Sequence, residues 1–222
     1  PDANAWKVFY ERNKQAAYLT DSTKGTTPIY QKIDNLSAAK SAYGNIVYRK
    51  APSFLRQAEF YLGEQKFQTA ARAFLKKHEY GNAGWEDLVE EFESASGKSL
   101  AAWAKKWVTQ PSTYKYRFGS IDWGSVPIKS SPDCCFGMLH GRHIFDEDLP
   151  TSSFRYADLE WKTKIYVINR DGRTSTVDYE PYILNDNPSS RTVKFFHIDP
   201  EPRFVFPNYQ DYGYGIFLLD DK

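Results

Sequence analysis

The sequence predicts an α+β chain of two domains, an all-helical half over residues 1–112 followed by an all-β sandwich over residues 113–222. Three observations predict it. Apolar residues recur at helical spacing up to about Gln110. From Tyr114 onward short alternating runs separated by turn residues replace that spacing. Gln110-Pro111 stands where the period changes.

Taken in order, a first helix is expected over Asn4 to Leu19, with Trp6, Phe9, Tyr10 and Ala17 near one face. A loop follows from Asp21 to Asn35, marked by Gly25 and Pro28. The next helix reads from Ser41 to Leu62 and stops at Gly63. Phe67, Ala70, Ala71, Phe74, Leu75 and His78 then recur at helical spacing up to Tyr80-Gly81-Asn82. Trp85, Leu88, Val89 and Phe92 make another stripe, closed by Ser96-Gly97. Ser99 is the expected N-cap of a last helix carrying Leu100, Trp103 and Trp107.

In the second half, Trp161 to Asn169 alternates, and Asp171-Gly172 offers a tight hairpin turn into Thr174–Tyr179. Further strands are expected at Arg191 to Ile198, Arg203 to Phe206 and Tyr214 to Leu219. Ser130 to Ser153 has no clear period and reads as a long loop or insertion.

Composition narrows the function classes. A net charge of +1 gives no electrostatic footprint for nucleic acid. No apolar run is long enough to span a bilayer. The only cysteines, Cys134 and Cys135, are neighbours, so no disulfide framework follows and the compartment stays open. Aromatic residues at 17% fit β-structure or a binding surface without choosing between them.

One stretch carries a resemblance. Val47-Tyr48-Arg49-Lys50-Ala51-Pro52, then Arg56, Leu62-Gly63-Glu64, Phe67, His78, Ala83, Asp87-Leu88, Ser96-Gly97, Trp107 and Gln110-Pro111 resemble the segment after the zinc site in enzymes of the aminopeptidase N family. Upstream, Asp21 with Thr27-Pro28-Ile29 is similar to the family's Asp…His-Pro-Ile loop, with Thr27 where His is usual. Ala51-Pro52 stands in place of the commoner Gly-Ala. Phe206-Pro207-Asn208 to Asp220 resembles the end of the β-sandwich that follows the catalytic domain. Thr113 to Ser153 matches poorly.

The resemblance implies the C-terminal part of a thermolysin-like catalytic domain, followed by that sandwich. It also implies a parent enzyme that releases N-terminal amino acids from peptides with a zinc ion held by His-Glu-x-x-His and a later Glu. None of those ligands is in this chain; His140-Gly141-Arg142-His143 has the wrong spacing and no Glu. The Gly-x-Met-Glu-Asn segment, which grips the substrate's α-amino group in this family, is also missing. The expectation is therefore a fragment that binds no zinc and is inactive alone. Its partners would be peptide substrates and the remaining domains of the parent chain.

Tyr48 is the one catalytic residue the resemblance carries over. In the family, a tyrosine at this place in Tyr-x-Lys donates its phenol hydrogen to the oxyanion of the tetrahedral intermediate. A phenol of pKa about 10 is a dependable donor at neutral pH. From composition alone, Tyr48 is one tyrosine among 16. Pro52 has no N–H for the carbonyl of Tyr48, so the helix either kinks there or starts there.

Other residues have plainer readings. Arg56 and Glu59 are spaced for a local pair. Arg49 and Lys50 either touch substrate or are simply solvated. His78 reads as a core or helix-end histidine. Glu86, Asp87, Glu90, Glu91 and Glu93 read as a solvated acidic face. Cys134, Cys135, His140 and His143 offer four possible zinc donors, but adjacent cysteines lack Cys-x-x-Cys spacing, and an idle or buried thiol pair is the favoured reading.

Two further functions compete with the enzyme segment. One is a non-catalytic binding or scaffold module that kept the fold and lost the metal. The other is an aromatic-rich sandwich that binds carbohydrate or a protein. Retention of Tyr48 favours the enzyme.

Overall fold

A computed structural model describes residues 4–111, 115–125, 135–144, 163–179, 182–183, 190–196, 203–206 and 208–218. The chain divides into two compact units, Pro1–Ser112 and Thr113–Lys222.

The first unit is helical. Helix α1 (Ala5–Phe9) is capped by Asn4, whose side chain accepts from the Lys7 N–H. It passes through a π turn, Tyr10–Lys14, into α2 (Gln15–Asp21). Helix α3 (Leu36–Ala42) starts on the Asn35 cap. A second π turn, Ile46–Lys50, leads into α4 (Ala51–Leu62), and Gly63 ends that helix at φ 84°. Helices α5 (Glu64–Lys77), α6 (Trp85–Ser96) and α7 (Ala101–Thr109) complete the unit.

The core is the meeting of the apolar stripes of α4, α6 and α7. Leu100, Trp103, Ala104, Trp107 and Val108 recur at helical spacing and are all buried. Phe54 stacks on Trp103 at 5.2 Å, and Tyr61 lies 5.6 Å from the same ring. Phe67 reaches Phe92 at 5.5 Å.

Several expectations need correcting. The helix expected over Ser41 to Leu62 is broken at Tyr43 and Gly44, because Tyr43 adopts extended backbone (ψ 115°). Leu75 does not join the core and is 68% exposed. Trp6 and Tyr10 are also exposed; α1 buries no residue, and the buried positions lie further on, at Lys14 in the π turn and at Ala17, Tyr18 and Asp21 in α2.

The acidic face is not merely solvated. Asp87 accepts from the Gly84 N–H at 2.7 Å and caps its own helix, and Glu91 pairs with Lys77 at 2.9 Å. Glu93, not Ser99, caps α7: one carboxylate oxygen accepts from the N–H groups of Leu100 (2.5 Å) and Ala101 (2.8 Å). A carboxylate at a helix N-terminus satisfies orphan donors and meets the positive end of the dipole. Glu93→Ala is accordingly expected to cost about 1–2 kcal/mol, read from the urea midpoint. An unchanged midpoint would remove Glu93 from that role.

Arg56 and Glu59 do pair, at 2.6 Å, and the Arg56 guanidinium also lies 4.2 Å from the Trp6 ring. His78 sits at the C-terminal end of α5, 5.1 Å from Phe74.

The second unit is β-structure in two sheets. The strands are β1 (Lys115–Ser125), β2 (Cys135–Ile144), β3 (Thr163–Ile168), β4 (Thr174–Tyr179), β5 (Tyr182–Ile183), β6 (Ser190–Phe196), β7 (Phe204–Phe206) and β8 (Ile216–Leu218). One sheet has the order β5-β6-β2-β1-β8, in which β8 runs parallel to β1; the other has the antiparallel order β4-β3-β7.

Within the stretch expected to be loop, Ser130 to Ser153, strand β2 pairs with both β1 and β6. The glycines Gly137 and Gly141, with His140 and His143, hide the alternation of that strand. The β3–β4 turn is the loop Arg170-Asp171-Gly172, in which Gly172 adopts φ 82°, closed by the Asn169 N–H donating to the Arg173 carbonyl.

In β3, Thr163, Ile165 and Val167 alternate inward. Asn208 anchors this unit: its amide oxygen accepts from the Thr163 hydroxyl and from the Gly213 N–H, both at 2.8 Å. Among the described residues, no helix is long and apolar enough to cross a membrane.

Candidate active site

The second π turn places Tyr48. The Tyr48 N–H still bonds the Gly44 carbonyl at 3.1 Å, but the Ala51 N–H reaches back five residues to Ile46. Pro52, in the first turn of α4, has no N–H for the carbonyl of Tyr48. The helix runs through the proline without a break, and the turn before it widens instead.

The turn presents opposite faces two residues apart. Two residues along a helical turn of this kind lie about half a revolution apart around the axis. Lys50 is accordingly buried, only 3% exposed, while Tyr48 is 61% exposed and packs against Tyr43 at 5.9 Å.

Beneath the turn lies a buried ion pair. The Lys50 ammonium donates to one Asp21 carboxylate oxygen at 2.8 Å, with both side chains out of solvent. The Thr26 hydroxyl donates to the other oxygen. The Lys50 amine is pushed below 10.5 by burial, against the pull of the Asp21 charge and their hydrogen bond. The start of the turn is tied as well. The Asn45 amide donates to the Thr20 hydroxyl at 2.8 Å, and that hydroxyl donates to the Ala16 carbonyl at 3.1 Å. Two consecutive residues of α2, Thr20 and Asp21, thus hold both ends of the turn that carries Tyr48.

Lys50 is therefore neither solvated nor substrate-facing, which corrects both readings that its sequence context allows. Its charge is spent inside the fold, because Asp21 meets it there. The two resemblance motifs, the Asp21 loop and the Tyr48–Lys50 stretch, are thereby brought into direct contact. Nothing in the sequence singles out Thr20, Thr26 and Asn45. Short polar residues in a loop give no sign of what they bond, and only the Asp21-to-Pro28 motif marked the region. Gln57 and Ser53 on α4 are also fully buried.

Zinc does not fit the residues described. Among them no group of three His, Cys, Asp or Glu side chains is close enough to hold a metal. The set Cys134, Cys135, His140 and His143 lies outside the residues whose side chains are described. As a chemical arrangement, then, this site offers an exposed phenol on a strapped-down turn.

Comparison with known proteins matches residues 1–107 to the Peptidase family M1 domain. The chain is 33% identical over 105 residues to Aminopeptidase N of Streptomyces lividans, covering 47% of this chain and 12% of that protein. It is 34% identical over 110 residues to Aminopeptidase M1-D of Oryza sativa subsp. japonica, covering 48% of this chain and 12% of that protein. It is also 33% identical over 108 residues to Tricorn protease-interacting factor F2 of Thermoplasma volcanium, covering 47% of this chain and 14% of that protein. The match therefore spans only a small part of each relative's length.

Proposed function

Because the chain belongs, through residues 1–107, to the aminopeptidase N family of family M1 peptidases, we propose that it is a segment of an aminopeptidase releasing N-terminal amino acids from peptides. Tyr48 is its catalytic contribution: the phenol donates a hydrogen bond to the oxyanion formed when the scissile carbonyl is attacked. The observation that carries this reading is the exposure of Tyr48 on a turn whose neighbouring lysine is buried. A phenol locked among apolar side chains would be useless as a donor to substrate.

Zinc supplies carbonyl polarisation and an activated water in such an enzyme. It would be bound by residues this chain does not contain, and none of the roles assigned to this chain's residues runs through it. The domain reading is a helical portion of the catalytic domain at 1–112 and a β-sandwich at 113–222. The two separate sheets and the inward alternation of β3 support a sandwich. Limited proteolysis is expected to cut near residue 112 and leave a resistant helical piece. Cleavage spread evenly through the helices would count against that boundary.

The decisive test is the coding sequence around this segment. A His-Glu-x-x-His pattern with a later Glu, ending upstream of Pro1, supports the enzyme; its absence favours the scaffold reading. The 222-residue chain, purified alone, is expected to carry no stoichiometric zinc and to release no aminoacyl-anilide product. One tightly bound zinc per chain would revive the Cys/His site.

A further inference from the structure

We infer that the buried Asp21–Lys50 pair is a register lock: it holds the Ile46–Lys50 segment in its π turn, and in doing so makes Asp21 a positioning residue for Tyr48. This rests on the reading of Tyr48 as the oxyanion donor.

A π turn is rarer than the α-helix on either side of it and persists only where something selects it. Pro52 helps, since it removes the N–H that an α-helical register would give to the Tyr48 carbonyl. It does not suffice, because a proline is tolerated in the first turn of an ordinary helix. The remaining selection comes from anchors. Asn45 enters the turn bonded to Thr20, and Lys50 leaves it bonded to Asp21, the next residue along α2.

Between those two fixed points the chain must accommodate the residues Ile46–Arg49. Changing a π turn to α-helix rotates everything after it relative to everything before it. With Asn45 held, Lys50 would swing around the axis and its ammonium would leave Asp21. Both groups are buried, so that separation costs two charges their mutual attraction with no bulk water to replace it. Holding one register is the best-attested use of such a pair. Tyr48 lies between the anchors, so the register fixes the direction in which its ring leaves the helix. The Tyr43 ring at 5.9 Å then packs against it from the side.

The test uses Asp21→Leu combined with Lys50→Met, which removes both charges together, so that neither is left buried without the other and the chain stays folded. In the 222-residue chain, NMR or a crystal structure reads the acceptor of the Ala51 N–H. The expected result is a change from the Ile46 carbonyl to the Val47 carbonyl, with the Tyr48 ring displaced from Tyr43. Thr20→Val, which removes the N-terminal anchor alone, gives the same change in part. A π turn that survives the double substitution with the Tyr48 ring in place overturns the inference.

In a zinc-bearing peptidase containing this segment, the double variant is expected to lower kcat by on the order of 100-fold with KM little changed, as a misplaced group does. Full kcat with a relaxed turn would likewise overturn the positioning role. The two readings fail separately. If Tyr48→Phe leaves turnover intact while the turn relaxes in the double variant, the oxyanion reading falls and the register lock stands.

Discussion

Lys50→Met is expected to destabilise the helical unit by about 3–5 kcal/mol, since it takes away the ammonium that lies 2.8 Å from the buried Asp21 carboxylate. Domains are stable by only about 5–15 kcal/mol, so this one substitution removes a large share of the total. Adding Asp21→Leu should recover most of the loss. Well-packed apolar replacements of a buried pair are often neutral or stabilising by about 1–4 kcal/mol. Urea unfolding followed by tryptophan fluorescence reads both variants. A loss below about 1 kcal/mol for Lys50→Met would show that water or another cation reaches Asp21.

The same pair sets a pH dependence. Burial lowers the Lys50 pKa from 10.5 by more than Asp21 raises it. The folded chain therefore sheds this proton at lower pH than the unfolded chain. Between the lowered value and 10.5 the unfolded state binds more protons, so this lysine's contribution to stability rises with pH. Below that window the burial cost is present in full. The stability difference between the wild-type chain and Asp21→Leu/Lys50→Met should climb through the window. A flat difference would mean that burial does not lower the Lys50 pKa.

Tyr48→Phe, made in a zinc-bearing peptidase that contains this segment, is expected to lower kcat about 10²–10³-fold, the effect of removing one oxyanion donor. KM should change little, because the bond is made in the transition state and not to the ground-state substrate. Stability should hardly move, as the ring remains and the residue is largely exposed. Unchanged turnover of an aminoacyl-anilide would remove Tyr48 from the chemistry.

Much of the helical unit was legible, because its apolar stripes obey the helical period. The stripe of α7 and the stops at Gly63 and Gly97 needed only local rules. What was hidden is the polar part of the core. Lys14, Asp21, Lys50, Ser53 and Gln57 are all buried, yet charged and amide residues count as surface in any periodicity reading. Asp21 and Lys50 were both visible as parts of motifs. Nothing in a linear sequence says that residues so far apart along the chain will meet as an ion pair. Ser99 offered the better local cap by type, but Glu93 won by reach, a tertiary fact. In the β unit, strands with branched residues declared themselves, whereas β2, with its glycines and histidines, did not.

The tether from Glu93 to the first turn of α7 has a consequence for engineering. One carboxylate of fixed reach measures the gap between the two helices, so Gly97–Ser99 behaves as a hinge pin of set length rather than slack cord. Splicing extra residues, an affinity tag or a new terminus into that bend should unseat the tryptophans of α7 from the interior, even though the bend itself lies at the surface.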